Sequence, residues 1–150
     1  MPNHRSRSGK FLVSGVSSDA HTWNLVFLQL MLEERGHEVV NLGACVPDEV
    51  IVERCLEVRP DVLVISTVNG HGHLDGLRLV RALRARPDLA GLRVVIGGKL
   101  GVRGGAESHG EALVAAGYDA VFESEDGLEE FGDFLRELRP RRRAPVGSAA

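Results

Sequence analysis

The sequence predicts an α/β protein: a doubly wound, flavodoxin-like (Rossmann-like) five-stranded parallel sheet of order 2-1-3-4-5 with helices on both faces. Three observations point there. Short apolar runs around Phe11, Val39, Val62, Val94 and Val121 alternate with stretches whose apolar residues recur at helical spacing. The connections between them are short, and strand, helix, strand units joined in this way close into a right-handed parallel sheet. Glycine-rich loops follow the strands, so they gather on one edge, where open α/β sheets bind ligands.

Taken in order, Lys10 to Val16 reads as the first strand, because Phe11, Leu12 and Val13 form a continuous apolar run of the kind buried on both faces of a parallel sheet. His21 to Arg35 reads as the first helix, with Leu25, Leu28, Leu32, Phe27 and Met31 on a broad apolar face and Gly36 as its C-cap. Val39, Val40 and Leu42 make strand two, ending at Gly43. Pro47 suits the first turn of a helix running to about Val58, with Asp48 and Glu49 at its dipole-positive end. Asp61 to Ser66 is the cleanest buried strand. The stretch TVNGHGHLDG after it is too glycine-rich for helix or strand, and the third helix is expected from about Asp75 to Arg86. Leu92 to Ile96 reads as strand four, closing on Gly97 and Gly98. A loop then leads from about Glu107 into a short helix ending at Gly117. Asp119 to Phe122 is a short fifth strand, and Leu128 to Leu138 a final amphipathic helix.

One domain is expected over residues 10 to 138, preceded by a flexible leader, 1 to 9, and followed by a basic tail, 139 to 150, read as disordered and solvated. With 43% hydrophobic and 26% charged residues and a net charge of -3, nothing in the balance points to nucleic acid. No apolar run approaches the roughly 18 to 20 residues that span a bilayer, so neither membrane nor secretion is expected, and the cytoplasm is the expected location. Cys45 and Cys55 are isolated and read as small core-filling thiols.

Two loops carry side chains suited to chemistry. Asp19 and His21, after strand one, are open to three readings: a helix cap with a surface histidine, a metal or cofactor ligand whose far N–H is held by the carboxylate, or a phosphate loop. The last is weak, because GVSSDAH lacks the further glycines of that fingerprint. In the third loop, His71, His73 and Asp75 suit a divalent metal by alternation, although glycines such as Gly70 read equally well as places where a ligand or partner approaches the backbone. Gly97 and Gly98 invite that second reading more strongly.

SDAHTWN after strand one, STVNGHGHLDG after strand three, VIGG after strand four and GYDAVF at strand five, in that order, resemble the small cobalamin-binding subunit of glutamate mutase (methylaspartate mutase). More broadly they resemble the B12-binding domain of cobalamin-dependent mutases and methionine synthase. The likeness covers roughly residues 10 to 138. It implies that His21 is the lower axial ligand to cobalt, displacing the cofactor's dimethylbenzimidazole, with Asp19 holding the far imidazole nitrogen. It implies that Ser66 hydrogen-bonds the displaced base, that Val68 stands where the pattern has leucine, and that Gly97 and Gly98 line the channel for the nucleotide tail. Gly70 and Ser124 complete the implied cofactor-binding set. Asn24 departs from the pattern, replacing the glycine of Asp-x-His-x-x-Gly.

The implied function is that of the cobalamin component of an adenosylcobalamin-dependent carbon-skeleton mutase, most like glutamate to 3-methylaspartate. The implied partner is a separate catalytic barrel subunit that holds the amino-acid substrate. A corrinoid protein for methyl transfer and a non-catalytic partner module of the same fold are the alternatives. A phosphoacceptor receiver fits less well, since Ser66 stands at the end of strand three where such a domain has aspartate.

Overall fold

In the computed structural model, residues 9–16, 23–67, 72–98, 109–122 and 127–137 are described. Its sheet is parallel and five-stranded, ordered β2-β1-β3-β4-β5. The strands are β1 (Lys10–Gly15), β2 (Glu38–Gly43), β3 (Val62–Thr67), β4 (Arg93–Gly98) and β5 (Ala120–Phe122), and the helices α1 (Trp23–Glu34), α2 (Asp48–Val58), α3 (Gly72–Arg84), α4 (His109–Ala116) and α5 (Gly127–Glu137).

Side-chain alternation along the strands divides the core in two. Leu12, Leu63, Ile65, Val94 and Ile96 point to the face covered by α2, α3 and α4, where they meet Ile51, Cys55, Leu79, Leu83 and Leu113. Phe11, Val13, Val62, Val64 and Val95 point the other way, against Leu25, Leu28 and Leu32 of α1 and Phe131 and Leu135 of α5. Each central strand is thus apolar on both faces, which is why the sequence shows continuous runs there and not alternation.

Several boundaries differ from expectation. β4 runs through both glycines to Gly98, because Ser66 and Thr67 continue the ladder opposite Gly97 and Gly98. α3 begins at Gly72, well before Asp75, so the glycines of HGHLDG do not stop it. Pro47 is the N-cap of α2 and not its first turn, with φ -64° and ψ 153°. A 3-10 turn over Pro87–Leu89 fills the connection before β4. Cys55 is buried as expected, but Cys45 is exposed, in a left-handed conformation (φ 55°) between β2 and α2.

At the amino end of the sheet, the Gly9 N–H donates to His37 Nδ1 at 3.0 Å, and the His37 ring packs on Phe11 with centroids 4.6 Å apart. Burial and then the Arg35 charge hold the His37 pKa below its ordinary 6.5, with Asp61 opposing them. Protonating Nδ1 would also remove the acceptor for Gly9. Because the folded pKa is the lower, the unfolded chain takes up the proton first. This contribution to stability is therefore complete above about pH 6.5 and is lost as pH falls toward the folded value. Thermal melts at about pH 7.5 and pH 5.5 should show a larger drop in Tm for wild type than for His37→Asn, which keeps a polar group but not the titration. Equal drops would show that His37 does not couple protonation to folding.

Candidate cofactor site

The carboxyl ends of β1, β3 and β4 are in register: Gly15 lies opposite Ser66, and Ser66 opposite Gly97. By the period of two, all three belong to the α1/α5 face. The row one repeat earlier on that face is Val13, Val64 and Val95, paired in the same way and almost wholly buried. Three branched side chains thus give way to Gly, Ser, Gly at the edge where the strands end. On the α1/α5 face the edge row is thus a slot of small residues standing above the valine row.

Phe122 continues the row on β5, opposite Gly97. Its ring stands edge-on to Phe131 and Phe134 of α5, with centroids 5.5 and 5.9 Å away. A Cβ on Gly97 would lie 3.1 Å from the Phe122 carbonyl oxygen and 3.3 Å from its Cβ. The slot is therefore bounded by an aromatic wall on the β5 side, and Ser66 brings its one hydroxyl to the row. Among the described residues this lining is apolar with one hydroxyl, which suits an apolar group carrying a hydrogen-bonding atom.

Gly98 needs to be glycine for a different reason. Its φ is +110°, and an added Cβ would fall 1.9 Å from the Thr67 carbonyl oxygen. The backbones of β3 and β4 themselves demand glycine there, so its presence says nothing about a ligand. Of the sequence-selected residues, Ser66 and Gly97 come together in the slot, and Gly98 sits at its edge in a structural role. Asp19, His21, Val68, Gly70 and Ser124 lie outside the described residues, as does the Asn24 side chain. Sequence reasoning missed Gly15 and Phe122; counting parallel register back from the strand ends would have found both.

The opposite face of the same edge is polar. Arg78 of α3 donates from Nε to Asp48 Oδ2 at 2.6 Å and from Nη1 to Asp75 Oδ1 at 3.1 Å, which raises the Arg78 pKa above its already high value. Asp75 is thus engaged by Arg78, while His71 and the His73 side chain lie outside the described residues. Asp48 Oδ1 is buried without a hydrogen-bond partner among the described residues. The Tyr118 hydroxyl donates to the Gly76 carbonyl at 2.8 Å, and burial pushes its pKa well up, so it stays a neutral donor that ties β5's entry to α3.

Residues 9–131 match the B12 binding domain family. The chain belongs to this family. Among curated B12-domain relatives it is similar to the glutamate mutase sigma subunit of Treponema denticola, 31% identical over 122 residues, 78% of this chain and 84% of that one. That likeness places it with the glutamate mutase sigma subunits. It is also similar to the HTH-type transcriptional repressor CarA of Myxococcus xanthus, 32% identical over 116 residues, 77% of this chain and 38% of the repressor. Among solved structures, a cobalamin-binding protein from Desulfitobacterium hafniense is 27% identical with TM-score 0.67, over 86% of this chain and 58% of that one. The monomethylamine corrinoid protein of Methanosarcina barkeri shares the fold at 20% identity and TM-score 0.66, over 91% of this chain and 61% of its own. The B12 domain therefore spans about three fifths of each of those two structures.

Replacing Gly98 by Ala should destabilise the domain whether or not a ligand is bound, since contact at 1.9 Å forces β3 and β4 apart. Urea unfolding should show a loss of several kcal/mol, of order 2 to 4, or no cooperative transition at all. A Gly98→Ala protein with wild-type stability would mean that the strand ends are held otherwise.

Proposed function

We propose that this chain is the cobalamin-binding component of an adenosylcobalamin-dependent carbon-skeleton mutase, most like the isomerisation of glutamate to 3-methylaspartate, working with a separate catalytic barrel subunit. The observation that carries the reading is the Gly15, Ser66, Gly97 row set above three buried valines: a slot for a flat group at the ligand-binding edge of a B12 domain. Membership with the glutamate mutase sigma subunits supports the reaction class. The fold shared with a corrinoid protein keeps methyl transfer as the second reading.

In this reading Ser66 would be the hydrogen-bond partner of the cofactor's dimethylbenzimidazole, with Gly15 and Gly97 on either side of it in the row. His21 would hold the cobalt and Asp19 would hold the other imidazole nitrogen, an arrangement that would fix the ring and tune its basicity. Bound adenosylcobalamin supplies the radical chemistry, and the protein supplies orientation and electronics. The chain's own part is to hold the cofactor's lower side while the partner holds the substrate. Recognition of a dicarboxylate calls for bidentate arginine pairs, and in this reading the partner provides them.

Two substitutions test the site. Overpacking a fitted cavity costs about 1–3 kcal/mol. Ser66→Val should therefore weaken hydroxocobalamin binding by roughly 5- to 150-fold while leaving urea stability unchanged. Unchanged binding would remove the slot from the cofactor site. His21→Ala should abolish the protein-nitrogen hyperfine pattern in the spin resonance of the reduced Co(II) form. If the pattern persists in uniformly nitrogen-15 labelled His21→Ala protein, His21 is not the ligand. Replacing Asp19 by Asn should cost about 10- to 100-fold in affinity without loss of fold.

A further inference from the structure

α1 has two apolar faces where its place on the sheet requires one. Leu25, Leu28 and Leu32 are buried against the sheet, yet on the opposite side Val26, Phe27 and Leu30 are 44%, 46% and 55% exposed. In sequence they continue from Trp23, the first residue of the helix, at the i, i+3, i+4, i+7 spacing of a single stripe. The stripe occupies the first turns and gives way to exposed Glu33 and Glu34. Because α1 leaves the carboxyl end of β1, its apolar half lies beside the edge that carries the slot, and its charged half lies away from it.

The surroundings constrain what covers the stripe. α5 packs on the same sheet face as α1, in one core cluster with it, and a Cβ on Gly132 would lie 3.5 Å from the guanidinium of Arg35, just past the end of α1. α5 also starts at the carboxyl edge of the sheet, and Glu129 and Glu130 in its first turn are exposed. Among the described residues of these two helices, Glu33, Glu34, Glu129, Glu130, Asp133 and Glu137 outnumber Arg136, even with Arg35 just past α1 added. A second copy meeting this face would bring acid against acid. Three half-exposed side chains also amount to roughly 200–300 Å², well short of the ~800 Å² per partner of a stable interface. The stripe is thus suited to be the flank of a larger contact, and the edge it adjoins is where a protein covering the cofactor must sit.

We infer that the outer face of α1, through Val26, Phe27 and Leu30, docks the catalytic partner subunit, by an apolar patch on the partner edged with lysine or arginine. The inference rests on the two-subunit reading above and adds to it a surface outside the cofactor slot. Phe27 is the anchor, as the largest described side chain of the stripe.

The test uses the full chain loaded with hydroxocobalamin and, as probe, the catalytic subunit of a glutamate mutase, with association followed by analytical ultracentrifugation. The double substitution Phe27→Ser and Leu30→Ser should weaken the complex roughly tenfold or more, the usual effect of truncating a buried aromatic anchor. The cobalamin spectrum and circular dichroism should stay unchanged, and Val114→Ser, on exposed apolar surface of α4, should bind as wild type. The pair Glu129→Lys and Glu130→Lys should also weaken association, by a factor that shrinks as salt is raised. Wild-type affinity in the double-serine variant would overturn the inference and leave the two-subunit reading standing. If loaded wild type forms no complex with the probe, that reading fails and takes the inference with it. If the chain alone sediments as a dimer that the double-serine variant dissociates, the face belongs to a second copy and the inference is overturned.

Discussion

Register between β1, β3 and β4 is the constraint on which the candidate site depends. A slip of one residue in any of these pairings would turn that strand's side chains to the other face, scattering the valine row and the small row above it. The pairing of Thr67 with Gly98 marks the correct alignment, since only a residue without a Cβ can sit so close to that carbonyl. A backbone requirement within the sheet thus fixes where Ser66 and Gly97 stand. The slot is a consequence of strand pairing before it is a property of any loop.

The two faces of the sheet are held differently. On the α2, α3 and α4 side, polar ties cross between elements: Arg78 joins α3 to Asp48, Tyr118 reaches Gly76, and the Arg84 guanidinium donates to the carbonyls of Leu92 and Gly117, each at 2.8 Å. Charge-assisted bonds of this kind define a single arrangement, so that face serves as a rigid backing. On the α1 and α5 side, packing is mainly apolar and aromatic, with Gln29 to Asn41 as a polar link between α1 and β2. Non-directional contacts let helices be spaced from a sheet without breaking hydrogen bonds, and this is the side on which the slot opens.

Fold class was legible because buried parallel strands leave continuous apolar runs and the intervening helices keep their spacing; Asp61 to Ser66 is the clearest case. What resisted reading were positions where local chemistry and tertiary context disagree. Gly72, Gly76 and their neighbours look like loop, yet they are helical, and Gly76 leaves room for Ile96 and Tyr118 to pack close: its Cβ would lie 2.8 Å from Ile96 Cδ1. Gly97 and Gly98 looked alike in sequence, but a Cβ on Gly97 would only crowd Phe122 on β5, whereas one on Gly98 would strike the Thr67 carbonyl oxygen at a left-handed φ. Gly15 and Phe122 could not be singled out from composition, since what defines them is the residue across the ladder. Of the outward stripe on α1, only Phe27 is grouped with the broad apolar face by sequence, and it is exposed, because spacing alone does not say which side of such a helix is covered.

The contrast between the two cysteines has a practical consequence. Burial raises the Cys55 thiol to about 12 and shields it, whereas Cys45 stands in the open on the β2 to α2 connection. Maleimide or methanethiosulfonate reagents should therefore modify the native chain at a single position, without mutagenesis. That position lies at the carboxyl end of the sheet, so a fluorophore or nitroxide placed there would report on events at the cofactor edge from a fixed point outside the slot.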